Sequence, residues 1–227
     1  MSDPIFPAVA LFDLDGTLLD SAPDMVATVN RMLAERGRAP LALDAVRPHV
    51  SKGARAMSGA AFPELSMEAR DALVPEFLRV YAEELGKHGV LFDGIAAMLD
   101  ALEAAGSRWG IVTNKPEYLA RALMPLLGWD TRCAVLIGGD TLSERKPHPL
   151  PLQEAARRLD VAIDDCVYVG DDERDIQSAR SAGMASIAAL WGYRLDHDDP
   201  LAWQADVILE RSTDLLDPAH WPQQAAR

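Results

Sequence analysis

A short apolar run, Ala8-Val9-Ala10-Leu11, leads directly into Phe12-Asp13-Leu14-Asp15-Gly16-Thr17-Leu18. The run is too short for an amphipathic surface helix and suits a fully buried strand. A buried strand that ends in two carboxylates one residue apart is costly, because like charges at close range raise each other's pKa unless a cation lies between them. Asp and Gly on their own could simply turn the chain at the surface. The alternative is a metal-dependent catalytic loop, and the rest of the chain must then supply its missing parts.

Hydrophobic periodicity divides the remainder in two. Ser21, with Asp24 three residues on, reads as a helix N-cap with an acidic first turn. Met25, Val26, Val29, Met32 and Leu33 share one helical face, and Gly37 is placed to end it. Further helices are predicted over residues 46–62 and 67–85, and no strand-like run interrupts this region. From Ile95 onward the pattern alternates. Strands at 109–113, 134–137, 166–169, 186–190 and 206–209 are separated by helical stripes. Such alternation implies crossover units and a parallel sheet covered on both faces. The predicted architecture is α/β: a Rossmann-like parallel-sheet core formed by residues 1–20 and 88–227. A small α-helical cap, residues 21–87, is inserted after the first strand.

The net charge of −13 over 227 residues disfavours nucleic acid and anionic membrane surfaces as partners. Residues 21–87 hold nine basic and nine acidic side chains, so the whole excess of negative charge lies in the core. An acidic base under a neutral lid attracts an anion poorly unless a cation is bound there. No apolar stretch reaches the ~18 residues of a membrane span. Met1-Ser2-Asp3-Pro4 lacks the basic region of an export signal. Cys133 and Cys166 form neither a disulfide framework nor a metal pattern. A cytoplasmic protein, monomer or homodimer, is expected.

In open α/β sheets the working groups gather beyond the carboxyl ends of the strands. The first strand ends in Asp13 and Asp15. The second ends in Thr113-Asn114-Lys115, another in Gly170-Asp171-Asp172 with Asp175 close behind, and the loop after Ile137 leads to Lys146-Pro147. Taken singly, each has an ordinary structural reading: a strand end, an exposed loop, a helix N-cap with an acidic first turn.

Together and in this order, the four segments resemble the four motifs of the haloacid dehalogenase superfamily, phosphatase branch. The resemblance spans nearly the whole chain. It implies a Mg²⁺-dependent phosphomonoesterase working through an aspartyl-phosphate on a small phosphorylated metabolite. Asp13 would be the nucleophile and Asp15 the acid that protonates the leaving oxygen, then the base for water. Mg²⁺, which favours hard oxygen ligands, would be held by Asp13, the main-chain carbonyl of Asp15, and Asp171. Thr113, Asn114 and Lys146 would meet the phosphoryl oxygens. Asp175 and Asp172 would support the metal waters or Lys146. A dehalogenase would not need Asp15, because a halide leaves without a proton.

Substrate choice is expected in the cap, where Ser51-Lys52-Gly53-Ala54-Arg55-Ala56-Met57 offers Lys52 and Arg55 to a substrate carboxylate. This stretch, together with Leu91-Phe92-Asp93-Gly94, Trp109 to Pro116 and Trp191-Gly192-Tyr193, is similar to N-acetylmuramic acid 6-phosphate phosphatases of peptidoglycan recycling. Leu91-Phe92-Asp93-Gly94 departs from the Tyr-Pro-Gly type of segment common in phosphoglycolate phosphatases. N-acetylmuramic acid 6-phosphate is therefore the expected substrate and 2-phosphoglycolate the alternative. A sugar phosphomutase would require a bisphosphate primer. A silent phosphate-binding module would usually lack Asp13 or Asp15.

Overall fold

The computed structural model describes residues 5–223; Met1–Pro4, on which the export-signal reading rests, lie outside them. Strand β1 (Val9–Phe12) is wholly buried and runs through the middle of a parallel sheet. On one side it pairs with β4 (Arg108–Val112), with β5 (Leu136–Ile137) beyond. On the other lie β6 (Cys166–Gly170), β7 (Ala185–Ala189) and β8 (Val207–Leu209). Side chains alternate between the two faces. Ala10, Phe12, Trp109, Ile111 and Val169 join the apolar faces of α6 (Ile95–Ala104) and α7 (Glu117–Leu127). Val9, Leu11, Val112, Ile137 and Tyr168 pack with α8 (Leu150–Leu159) and α9 (Glu173–Ala182). Burial on both faces explains why these strands read as continuous apolar runs.

Strand register decides which loops meet. Phe12 lies opposite Ile111 on one side and Val169 on the other, so the first residues past β1, β4 and β6 emerge side by side. Asp13, Thr113 and Asp171 are thereby brought to one sheet edge.

Residues 22–84 leave and return through a two-stranded antiparallel ribbon, β2 (Leu19–Asp20) with β3 (Val90–Leu91), which is too short to register in the hydrophobic pattern. Between its strands run α1 (Ala22–Ala34), α2 (Leu43–Val46), α3 (Ala54–Ala61), α4 (Met67–Ala72) and α5 (Val74–Glu84). They share an apolar core that includes Val29, Met57, Phe77 and Val80. Each of the two long helices predicted here is broken. Pro48 opens a 3₁₀ turn over Arg47–Lys52, and Gly53, at φ +82°, separates it from α3. Pro75 sits in the first turn of α5 and separates it from α4.

The expected N-cap at Ser21 also differs. Its hydroxyl makes no capping bond, and the Ala22 N–H donates to Tyr193 Oη at 3.0 Å and Asp20 Oδ1 at 3.3 Å. Asp24 is buried and faces the returning chain. It accepts from the N–H groups of Gly86 (2.8 Å), His88 (2.7 Å) and Gly89 (3.2 Å). One carboxylate thus fastens the two ends of the insertion. Asp24→Ala should cost at least about 3 kcal/mol, since each buried donor left unpaired costs about 1–3 kcal/mol. A thermal melt should fall by roughly 6–12 °C in a chain of this size; an unchanged midpoint would show that water replaces the carboxylate freely.

Candidate active site

The loop after β1 turns at Gly16, whose φ of +90° suits glycine; a Cβ there would fall inside the Asp171 carboxylate. The backbone thereby comes close enough for Asp13, Asp171 and Asp175 to place one carboxylate oxygen each within 4.8 Å of the others. All three are buried.

Most carboxylates at this edge have a cation of their own. Lys146, arriving from the β5–α8 loop, puts its Nζ 3.0 Å from Asp13 Oδ1, 2.6 Å from Asp175 Oδ1 and 2.7 Å from Tyr168 Oη. Lys115, at the end of β4, lies 3.1 Å from both oxygens of Asp15. Asp172 takes Arg174 Nε at 2.7 Å and Lys52 Nζ at 2.9 Å. Asp171 has no cationic partner among the described residues. It accepts instead from Thr17 Oγ1 (3.1 Å), Ser51 Oγ (2.8 Å) and the Tyr193 N–H (2.9 Å).

Protonation follows this distribution. Burial, then the charges of Asp13 and Asp175, push the Asp171 carboxyl well above the ordinary carboxylate range. Burial lifts Asp175 to about 6 even though Lys146 pulls the other way. Asp172, despite its burial, is drawn down to about 2 by Arg174 and Lys52. A buried carboxyl that lacks a counter-charge beside two others is the arrangement a hard divalent cation relieves, and the oxygen donors suit Mg²⁺. Asp13, Asp171 and Asp175 would hold it. This brings Asp175 closer than the supporting position expected for it, and it also grips Lys146 as expected. Asp15 turns its carboxylate to Lys115, so it could offer a cation only its main-chain carbonyl.

The remaining expected residues divide. Thr113 is buried, and its hydroxyl accepts from the Lys115 N–H at 3.3 Å. The Asn114 side chain donates to the Lys146 carbonyl (3.0 Å) and accepts from the Lys146 N–H (3.1 Å), which fastens the loop that carries Lys146. Asp172 is also the N-cap of α9, in a capping box with Asp175. The ordinary structural reading of that motif and the functional one therefore coexist.

These groups form the floor of a cavity of ≈ 420 Å³ roofed by the helical insertion, with Met25, Val50, Phe77 and Leu78 on its apolar wall. Lys52 and Arg55 line it, but Lys52 is held by Asp172 and Asp198, and Arg55 is paired with Asp71 at 2.5 Å. Arg145 lines it too, and its guanidinium has no partner among the described residues. The sequence reading missed Arg145, Tyr81 and the engagement of Lys115. Their signal was adjacency to Lys146 and Asn114, and, for Tyr81, an aromatic on an otherwise ordinary helical stripe.

A family profile described as haloacid dehalogenase-like hydrolase matches residues 10–189. The chain belongs to that family. It is 66% identical over 218 residues to a phosphoglycolate phosphatase of Xanthomonas campestris pv. campestris, covering 96% of this chain and 99% of the relative. It is 43% identical to an N-acetylmuramic acid 6-phosphate phosphatase of Pseudomonas aeruginosa, over 91% and 92% of the two chains. Among solved structures, a "predicted phosphoglycolate phosphatase" from Haemophilus somnus superposes with a TM-score of 0.80 at 28% identity, covering 92% of this chain and 96% of that one. The haloacid dehalogenase-like fold is that of the phosphatases, and the chain is a phosphoric monoester hydrolase. Among the described residues no helix is long and apolar enough to cross a membrane.

Raised carboxyl pKa values mean that the folded state holds those protons more tightly than the unfolded chain does. The cluster's contribution to stability is therefore complete below about pH 4 and is lost as pH rises through the Asp175 value of about 6. A divalent cation reverses this, because it binds only the ionised groups. Added Mg²⁺ should raise the melting temperature by a margin that grows from pH 5 to pH 7. At a hundred times its Kd the gain is about 2.7 kcal/mol, roughly 5–10 °C here. Parallel melts in Mg²⁺ and in EDTA measure it; a margin that stays flat with pH would argue against these carboxylates as the cation's seat.

Proposed function

We propose that the chain hydrolyses 2-phosphoglycolate to glycolate and inorganic phosphate through a phosphoryl-Asp13 intermediate. The observation that carries the chemistry is the convergence of Asp13, Asp175 and Lys146 on one cavity floor, with Asp171 beside the two carboxylates and Asp15 held separately on Lys115. Asp13 attacks phosphorus in line, and its carboxylate oxygen replaces the ester oxygen. Asp15 enters the step as the neutral acid, gives its proton to that departing oxygen, and regains one from the water that cleaves the acyl phosphate. Lys146 and the Thr113 hydroxyl meet the transferring oxygens. Bound Mg²⁺ supplies positive charge that lets an anionic nucleophile approach an anionic phosphate.

The helical insertion, residues 21–87, serves as the cap in this reading, covering the phosphoryl group and excluding water. Three contacts support a cap seated on the core: Ser51 on Asp171, Lys52 on Asp172, and the Arg174 guanidinium donating to the Ser51 carbonyl.

The choice of substrate departs from the sequence expectation, which put N-acetylmuramic acid 6-phosphate first. That order leaned on Leu91-Phe92-Asp93-Gly94. Those residues belong to the ribbon and the start of α6: Leu91 pairs with Leu19, Phe92 packs on Tyr193, and the Asp93 carbonyl accepts from Ser212 Oγ. None of them lines the cavity, so their identity reports hinge packing rather than substrate. Relatives at 66% identity bearing the phosphoglycolate name outweigh those at 43%. N-acetylmuramic acid 6-phosphate remains the second reading because the apolar wall leaves more room than a two-carbon acid fills.

Arg145, rather than the paired Lys52 or Arg55, is assigned to the substrate carboxylate. Arg145→Ala should lower kcat/KM for 2-phosphoglycolate about 10- to 100-fold, the value of one charged hydrogen bond. Ethyl phosphate, which has the same carbon count and no carboxylate, should lose less than about threefold. Turnover of both esters and of N-acetylmuramic acid 6-phosphate, read as phosphate release without a bisphosphate primer, tests the assignment. Preference for the sugar phosphate, or equal losses on both small esters, would overturn it. Asp13→Asn should abolish release from every ester.

A further inference from the structure

The proposed reaction gives Asp15 a role but says nothing of what aims it. Lys115 is almost wholly buried, and its ammonium has three N–H donors. One is shared between the two oxygens of Asp15, with Nζ 3.1 Å from Oδ1 and 3.1 Å from Oδ2. A second reaches Tyr81 Oη at 2.5 Å, and the same Nζ stands 4.3 Å from the centre of the Tyr81 ring. An ammonium held equidistant from both oxygens restrains the direction in which the carboxyl group faces. Lys115 therefore determines which lone pairs of Asp15 face the cavity.

Tyr81 does not belong to the sheet. It lies on α5, is 1% exposed, and is stacked on Phe77 with ring centres 5.9 Å apart. The ammonium that orients a core carboxylate is thus completed by a hydroxyl from the helical insertion. Were α5 displaced, Lys115 would lose its hydrogen bond to Tyr81 and the face of an aromatic ring, and a buried charge short of a partner does not keep its place.

We infer that Lys115 and Tyr81 are positioning residues that align Asp15 for proton delivery to the leaving oxygen, and that Tyr81 makes this alignment depend on the insertion being seated. The inference rests on the proposed acid role of Asp15. It goes beyond that role in naming what sets the carboxylate's orientation and in tying it to a second structural element.

A leaving group that needs no proton separates positioning from plain structural support. 4-Nitrophenolate departs without an acid, whereas an alkoxide does not, and kcat/KM reports the steps up to departure of the leaving group. The experiment compares kcat/KM for ethyl phosphate and 4-nitrophenyl phosphate in the Mg²⁺-loaded full chain, for wild type, Asp15→Asn, Lys115→Met and Tyr81→Phe. A general acid is worth about 10²–10⁴-fold, so Asp15→Asn should reduce the alkyl-to-aryl ratio by about a hundredfold. Lys115→Met and Tyr81→Phe should each reduce it roughly tenfold, with the aryl ester losing far less than the alkyl one. If Asp15→Asn leaves the ratio unchanged, the acid assignment itself fails. If Asp15→Asn shifts the ratio but both other variants lose equally on the two esters, Lys115 and Tyr81 merely support the fold and the inference is overturned. Tyr81→Phe removes a single hydroxyl and keeps the stacked ring, so it decides the question should Lys115→Met not fold.

Discussion

Five carboxylates, from Asp13, Asp15, Asp171, Asp172 and Asp175, are buried at one end of a parallel sheet, and the surrounding structure is an answer to their mutual repulsion. Removing one partner from a buried ion pair costs about 3–5 kcal/mol, so each cation here is part of the fold as well as part of the site. Lys146 serves two carboxylates, Lys115 a third, and Arg174 with Lys52 a fourth. Asp171 receives only hydroxyl and amide donors, and burial with the neighbouring charges holds its carboxyl well above the ordinary range. In the proposed reaction that asymmetry would seat the cation at Asp171 and its two carboxylate neighbours. The glycines at 16 and 192 follow from the same crowding, since a Cβ at either would overlap the Asp171 carboxylate.

Much of this was legible in the chain because a parallel sheet converts sequence order into spatial order. Once β1 was recognised, every later apolar run had to end at the same edge, and the polar residues after each run had to meet there. That rule gathered Asp13, Thr113, Lys146 and Asp171 at one edge, and the resemblance gave them roles. What escaped notice depends on tertiary pairing. Lys115 is an ordinary lysine after an asparagine until α5 brings Tyr81 over it. Asp24 has the spacing of a first-turn acid and becomes a fastener only because the chain returns past it at Gly86 to Gly89. The ribbon of Leu19–Asp20 with Val90–Leu91 has two residues per strand, too few for any period to show. Long helices were expected over 46–62 and 67–85 because apolar stripes can continue across a break. Pro48, Gly53 and Pro75 mark the breaks, and they outweigh the stripe.

The insertion is bound to the core by polar contacts at the site and by the ribbon at its root. At the root, Tyr193 Oη donates to Asp20 at 2.7 Å and accepts from the Ala22 N–H, while Arg47 pairs with Asp20 at 2.8 Å. At the site, Ser51, Lys52 and Tyr81 reach Asp171, Asp172 and Lys115 in turn. These site contacts all address charged groups of the core. The apolar core of the insertion lies largely within its own helices. The proposed role of the insertion as a cover over the site agrees with this division of apolar and polar contacts.

This division also explains why the phosphate end of the site could be read more readily than the organic end. Phosphoryl transfer demands the same few groups whatever the ester, and they sit on strand ends whose register the core enforces. In the proposed reaction the leaving group would meet the insertion, where Lys52 and Arg55 are engaged by Asp172, Asp198 and Asp71 and so are poorly placed to add a second anion contact. Arg145 differs because it belongs to the core loop that delivers Lys146, one residue earlier. A carboxylate gripped there would sit near the phosphoryl site, because Arg145 and Lys146 are neighbours on one loop of the core. A short acid phosphate satisfies that geometry by its own length. A sugar phosphate would have to satisfy it with a substituent that folds back toward the floor, leaving its ring against Met25, Val50, Phe77 and Leu78.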